Sequence, residues 1–131
     1  PDLFKNKGAV FFRKVEREAL LHLGHSDDSF VLSTGGGTPC FGDNLENMKF
    51  FPNTIVVYLK LSIPELVTRL EGEMDQRPLL AGLDKALLPE FLGKHLFERA
   101  PFYEQAHLIV PVLGQTPNEI SQKIQSNLKL L

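Results

Sequence analysis

The chain has 131 residues, with 14 Lys and Arg against 16 Asp and Glu for a net charge of -2, and a single cysteine. That length points to one domain with a core of its own, and the near-neutral balance excludes the basic footprint of a dedicated nucleic-acid binder. Cys40 alone can build no intrachain disulfide, thiolate metal cluster or CxxC redox pair, so neither nucleic acid nor a membrane is an expected partner and a cytoplasmic monomer is the expectation. The first residue is Pro1 and no basic-then-apolar leader follows it, from which we expect a chain without a secretion signal that begins inside a longer protein.

In chain order, residues 9–23 predict a helix, with Phe12, Val15, Ala19 and Leu23 as its core-facing stripe and Arg13, Glu16 and Leu20 on a neighbouring face. Residues 30–34, 54–60 and 107–112 predict strands, being apolar, β-branched and bounded by turn or helix-start signals. The middle run, from Ile55 to Leu59, is continuously apolar, the pattern of a strand covered on both faces of a parallel sheet. Ser62-Ile63-Pro64-Glu65 reads as a capping box opening a helix that carries Leu66, Val67 and Leu70. Residues 71–85 are polar and contain two Gly and one Pro, which predicts a mobile functional loop. A helix over residues 87–105 carries Leu92 and Leu96, with a kink or restart at Pro101. Thr116-Pro117-Asn118-Glu119 caps a final helix whose buried stripe is Ile120, Ile124 and Leu128. Strands alternating with helices argue for an open α/β sheet with right-handed crossovers.

Chemistry concentrates at Ser33-Thr34-Gly35-Gly36-Gly37-Thr38, at the carboxyl end of the first predicted strand, where open α/β sheets bind ligands. Adjacent glycines let backbone amides approach an anion or a hydroxyl without Cβ interference; a merely flexible turn is the plain alternative. No GxxxxGK[ST] phosphate loop occurs anywhere in the 131 residues. Arg13, Arg77 and Arg99 are the second group, because a guanidinium fork matches carboxylate or phosphate oxygens and stays charged. Solvated surface roles are the alternative for each. Arg77 opens Arg77-Pro78-Leu79-Leu80, Arg99 precedes Ala100-Pro101-Phe102-Tyr103, and Arg13 lies one turn from Glu16. His22, His25, His95 and His107 have no metal-site spacing and read as packed or solvated, while Cys40 reads as a small apolar residue.

Taken in order, Gly8-x-x-x-Phe12-Arg13-x-x-Glu16, Val31-Leu32-Ser33-Thr34-Gly35-Gly36-Gly37, Arg77-Pro78-Leu79-Leu80 and Arg99-Ala100-Pro101-Phe102-Tyr103 closely resemble shikimate kinase. The resemblance runs the length of the chain and implies a P-loop-NTPase-like α/β fold, an open parallel sheet with flanking helices, here lacking its first two strands. It implies ATP-dependent phosphorylation of the 3-hydroxyl of shikimate in chorismate biosynthesis, with Mg2+ as the metal, held mainly by residues outside this sequence. Arg13 and Arg99 would hold the acceptor's carboxylate, and Gly35, Gly36 and Gly37 would line it, with the Gly36 amide on a ring hydroxyl. Arg77 would belong to a lid, residues 71–85, and touch the ATP phosphates. Glu16 would orient Arg13, and Ser33 would stand where other phosphate-loop enzymes carry a second magnesium-site residue.

Two local departures are visible: Ala9 stands where the family usually has Glu, and Gln115 precedes Thr116-Pro117 where relatives carry an adenine-contacting Arg. The larger departure is the phosphate loop with its Lys, which this sequence does not contain. The chain therefore reads as the carboxyl-terminal three quarters of a shikimate kinase, inactive as given. The alternatives are a catalytically dead shikimate-binding module, or another small-molecule kinase of the same fold such as a gluconate kinase.

Overall fold

A computed structural model describes residues 8–129. Helix α1 spans Ala9–Gly24, entered through Gly8 at φ 85°, a left-handed conformation that costs glycine nothing. Its one fully buried residue is Leu20. The expected apolar stripe is only partly the inward face: Phe12 and Leu23 are half-buried, but Val15 and Ala19 are exposed. The inward face instead runs through Arg13, Glu16 and Leu20, because a polar pair on α1 is turned toward the glycine segment. Hydrophobic periodicity cannot register a polar inward face.

A 3-10 turn at Thr38–Cys40 leads into a further helix, α2, Asn44–Phe50. Leu45 and Met48, one turn apart, are buried against Leu20. Asp43 stands at the N-cap position of α2 but caps nothing. Its carboxylate instead accepts from Nε and Nη2 of Arg17 at 3.0 and 3.3 Å, tying α2 to α1, and that hydrogen bond holds Asp43 below the usual carboxylate range.

Strands β1, Val57–Lys60, and β2, Leu108–Pro111, form a two-stranded parallel sheet in the register Val57↔Leu108 to Lys60↔Pro111. The ladder continues at both ends, from Leu108 N–H to the Val56 carbonyl and from Val112 N–H to the Lys60 carbonyl, each at 3.1 Å. His107, exposed in the structure, accepts at Nδ1 from Val56 N–H at 2.9 Å. Val110 and Val112 are buried, but Leu59 is 53% exposed, so β1 is not covered on both faces. Residues 30–34 form no strand, and Val31 is 97% exposed. An extended apolar run becomes a strand only by pairing its amides and carbonyls with a neighbour, and none of the described residues lies alongside it as one.

Helix α3, Ile63–Leu70, is capped by Ser62, whose hydroxyl accepts from Glu65 N–H; the reciprocal half of the box is not made. Helix α4, Leu88–Tyr103, runs through Pro101 without restarting. Pro101 sits in the last turn, where a missing N–H removes only one bond from the ladder. Helix α5, Pro117–Leu128, has the complete capping box at Thr116 and Glu119, although Ile120 and Ile124 are only half-buried and Leu128 is exposed. The segment 71–85 is made of turns around a 3-10 element, Met74–Gln76. Met74 and Leu80 anchor it by burial with Leu88 against Val67, Leu70 and Phe91.

Gly24 shows how tightly the first cluster is closed: a Cβ added there would collide with the Phe51 ring. Overpacking of this kind costs about 1–3 kcal/mol. We expect Gly24→Ala to lower the denaturant midpoint accordingly in chemical unfolding. A midpoint equal to or above that of the parent chain would contradict the packing described.

Candidate functional site

Arg13 and Glu16 lie three residues apart on α1, and Arg13 Nη1 donates to Glu16 Oε1 at 2.7 Å. The other carboxylate oxygen, Oε2, accepts from Thr38 Oγ1 at 3.0 Å. Glu16 is therefore held at both oxygens and fixes the Arg13 fork against the glycine turn. The Phe12 ring lies 5.3 Å from the same guanidinium, within cation–π range. Behind Thr38, the buried Asn44 donates from Nδ2 to the Thr38 carbonyl at 2.9 Å. A polar chain thus runs from α2 through the turn to α1.

The glycine segment folds back on itself through Thr38 N–H to the Gly35 carbonyl and Cys40 N–H to the Gly37 carbonyl, both at 3.1 Å. From the other side α4 presents Arg99 and Tyr103, four residues apart on one face. Tyr103 Oη donates to the Gly36 carbonyl at 2.6 Å, and Cys40 Sγ lies 3.8 Å from that same oxygen. The two arginines meet successive glycines. A Cβ on Gly37 would strike the Arg13 guanidinium, and one on Gly36 would stand 2.7 Å from Arg99 Nη1 and 3.1 Å from Tyr103 Oη. Gly37 has an ordinary φ of -85°, so close approach, not backbone conformation, is what demands glycine there.

Electrostatics agree with this convergence. Burial pushes the Cys40 thiol up, while the positive charges of Arg99 and Arg13 both pull against that rise. Cys40 therefore feels both guanidiniums, and the described residues bring two cations and a bare backbone turn to one place. Such an arrangement can hold a carboxylate by charge-assisted bonds and read a neighbouring hydroxyl with the backbone.

Of the residues expected from sequence, Arg13, Glu16, Gly35, Gly36, Gly37 and Arg99 come together here. Ser33 lines an adjoining cavity of about 190 Å³, together with Glu16, Leu20, Thr34, Gly35 and Thr38. Arg77 stands apart: it lines a separate cavity of about 270 Å³ with Leu80, Phe91 and His95, and its Nη2 donates to Glu73 at 3.4 Å. His95 stacks on Phe91 at 4.8 Å and burial holds its pKa down, in keeping with a packed histidine. Three contributors went unassigned in the sequence reading: Thr38, Asn44 and Tyr103. Tyr103 had a signal, its four-residue spacing from Arg99 on one helix. Asn44 had none.

These features define an α/β protein in which two helices bring a pair of guanidiniums against a glycine turn. The shikimate kinase family model matches residues 1–129. Among relatives, the shikimate kinase of Flavobacterium psychrophilum is 40% identical over 123 residues, covering 94% of this chain and 71% of that one. The shikimate kinase of Flavobacterium johnsoniae is 39% identical over 124 residues, with the same shares covered. A crystal structure of shikimate kinase from Bacteroides thetaiotaomicron superposes with a TM-score of 0.81 at 36% identity, covering 98% of this chain and 72% of that chain. The chain belongs to the shikimate kinase family, a family of small-molecule kinases. Among the described residues no helix is long and apolar enough to cross a membrane.

Proposed function

We propose that these 131 residues form the acceptor-binding part of a shikimate kinase, which transfers the γ-phosphoryl group of ATP to the 3-hydroxyl of shikimate. The observation that carries this reading is the closeness of Arg13 and Arg99 to Gly37 and Gly36. In it the two guanidiniums take the acceptor's carboxylate, the Gly36 amide takes a ring hydroxyl, and Gly35 and Gly37 line the ring. The reactive hydroxyl then faces the nucleotide in a fixed pose, which is the main requirement of a reaction governed by positioning and charge neutralisation.

The nucleotide side is less furnished. Arg77, 55% exposed and held by one long bond to Glu73, can swing a charge toward phosphates from the segment 71–85, which we assign as a lid over ATP. No GxxxxGK[ST] cradle exists in the sequence, and among the described residues no group of three or more His, Cys, Asp or Glu could hold a metal ion. Mg2+ in such enzymes relies on a few protein oxygens together with phosphate oxygens and waters. Ser33 is the hydroxyl this reading assigns to the metal side, lining with Glu16 the cavity next to the glycine turn. These residues do not make a magnesium site by themselves.

The test is chemical. In a completed chain, formed by joining these residues to the part of the Bacteroides thetaiotaomicron enzyme that they leave unmatched, shikimate should be preferred over its methyl ester. Charge-assisted hydrogen bonds contribute about 1.5–3 kcal/mol, so kcat/KM should fall by about 10- to 150-fold on esterification. Equal use of acid and ester would refute the carboxylate assignment.

A further inference from the structure

We propose that Tyr103 is a positioning residue for acceptor binding, a phenol that links the Arg99 guanidinium to the Gly36 carbonyl and so sets both groups for one ligand. The inference rests on the acceptor-site reading above. Tyr103 is four residues beyond Arg99 in α4 and 67 residues beyond Gly36, yet its hydroxyl donates to the Gly36 carbonyl at 2.6 Å. Once the proton is committed to that carbonyl, the phenol oxygen faces the guanidinium with its lone pairs. Arg99 Nη1 and Tyr103 Oη both crowd the place a Cβ of Gly36 would take, at 2.7 and 3.1 Å from it, and the guanidinium charge acts on the phenol. The ring itself is braced by Tyr58 of β1 at a centroid distance of 5.2 Å, so the hydroxyl is presented from a fixed platform.

The consequence follows from peptide geometry. A carbonyl bond at Gly36 pins the peptide plane between Gly36 and Gly37, and with it the Gly36 Cα to which the amide of residue 36 is bonded. A turn of three glycines has the widest conformational freedom of any tripeptide, so an outside anchor contributes most here. Cys40 is the other donor near that oxygen, at 3.8 Å, and a thiol is a weak one. Without the phenol, the glycine turn and Arg99 would be free to adjust separately. Burial raises the Tyr103 phenol above its ordinary range, against the opposing pull of Arg99, so the phenol keeps the proton it donates at neutral pH.

The test uses Tyr103→Phe, which keeps the ring and its packing on Tyr58. In the completed chain we expect the KM for shikimate to rise about 5- to 20-fold, the loss of one or two hydrogen bonds acting through positioned groups. kcat should stay within about threefold and the KM for ATP should be unchanged. Calorimetric titration of shikimate into the 131-residue chain should show the same ratio in Kd. In an Arg99→Ala background the effect of Tyr103→Phe should shrink to about half or less, because one of the two groups the phenol links is gone while the Gly36 anchor remains. A purely structural phenol would give equal effects in both backgrounds and would raise the KM for ATP alongside that for shikimate; either result overturns the proposal. An unchanged shikimate KM for Tyr103→Phe, with a raised one for Arg99→Ala, overturns the link but leaves the acceptor site standing. An unchanged shikimate KM for Arg99→Ala overturns both.

Discussion

Incubated with ATP, Mg2+ and shikimate, the 131-residue chain is expected to release no ADP above background, whereas the completed chain does. The reason is the division of labour in phosphoryl transfer. The transferring group spreads its negative charge over several oxygens, and backbone amides, a lysine and a metal ion neutralise it. The acceptor site as proposed turns its cations and glycine amides toward the acceptor, and Arg77 is an exposed guanidinium in a different cavity. Losing one such charge-stabilising group commonly costs about 10²–10³ in kcat. Losing the whole phosphate cradle should exceed about 10⁴, which corresponds to more than about 5 kcal/mol of barrier. The measurement is shikimate-dependent ADP release in a coupled assay, with shikimate-independent ATP hydrolysis subtracted. Turnover by the short chain within about a hundredfold of the completed one would mean that the phosphates are held by groups the sequence does not advertise. Shikimate binding without turnover, even in the completed chain, would favour the dead binding module.

What could be read from sequence tracks how local each determinant is. The Thr116 capping box was legible because all its partners lie within four residues, and it is made in full. Ser62 offers the same signature yet closes only half of it. Strands β1 and β2 were legible as apolar runs, β1 coming out shorter at its start and β2 by one residue at each end. Residues 30–34 have the same composition and no ladder, because strand formation belongs to a pair of segments and composition to one. Helix α2 was hidden for a related reason: its N-cap aspartate is engaged by Arg17, 26 residues away, in place of its own amides. At the site, Arg13, Glu16, Arg99 and the glycines were legible through motif order. The spacing of Tyr103 from Arg99 was a signal too, whereas Asn44 had none, since its bond to the Thr38 carbonyl exists only once α2 has closed on the turn.

Replacing either arginine should damage acceptor affinity, and the two should differ in kind. Arg99→Ala in the completed chain removes one guanidinium and leaves the Tyr103 bond to Gly36 in place. The expected outcome is a rise of about 10- to 150-fold in the KM for shikimate, from about 1.5–3 kcal/mol of charge-assisted bonding, with the KM for ATP unmoved. Arg13→Ala removes as much attraction and adds a penalty. Glu16, with a side chain only 19% exposed and one oxygen already taken by Thr38, is left with an unpaired negative charge beside the place of the acceptor's carboxylate. That charge is partly shielded from solvent, so its repulsion is screened less than on an open surface. Arg13→Ala should therefore raise the shikimate KM further than Arg99→Ala. Adding Glu16→Gln should recover part of the loss, because the amide keeps a carbonyl for the Thr38 hydroxyl and discards the charge. Arg13→Lys should not restore binding, since a single ammonium cannot serve Glu16 and a carboxylate in the same plane. Steady-state kinetics with shikimate varied at saturating ATP decide the matter. A shikimate KM within about threefold of the parent for both alanine variants would remove the two guanidiniums from the acceptor site, as would Glu16→Gln failing to recover any of the Arg13→Ala loss for the orienting role of Glu16.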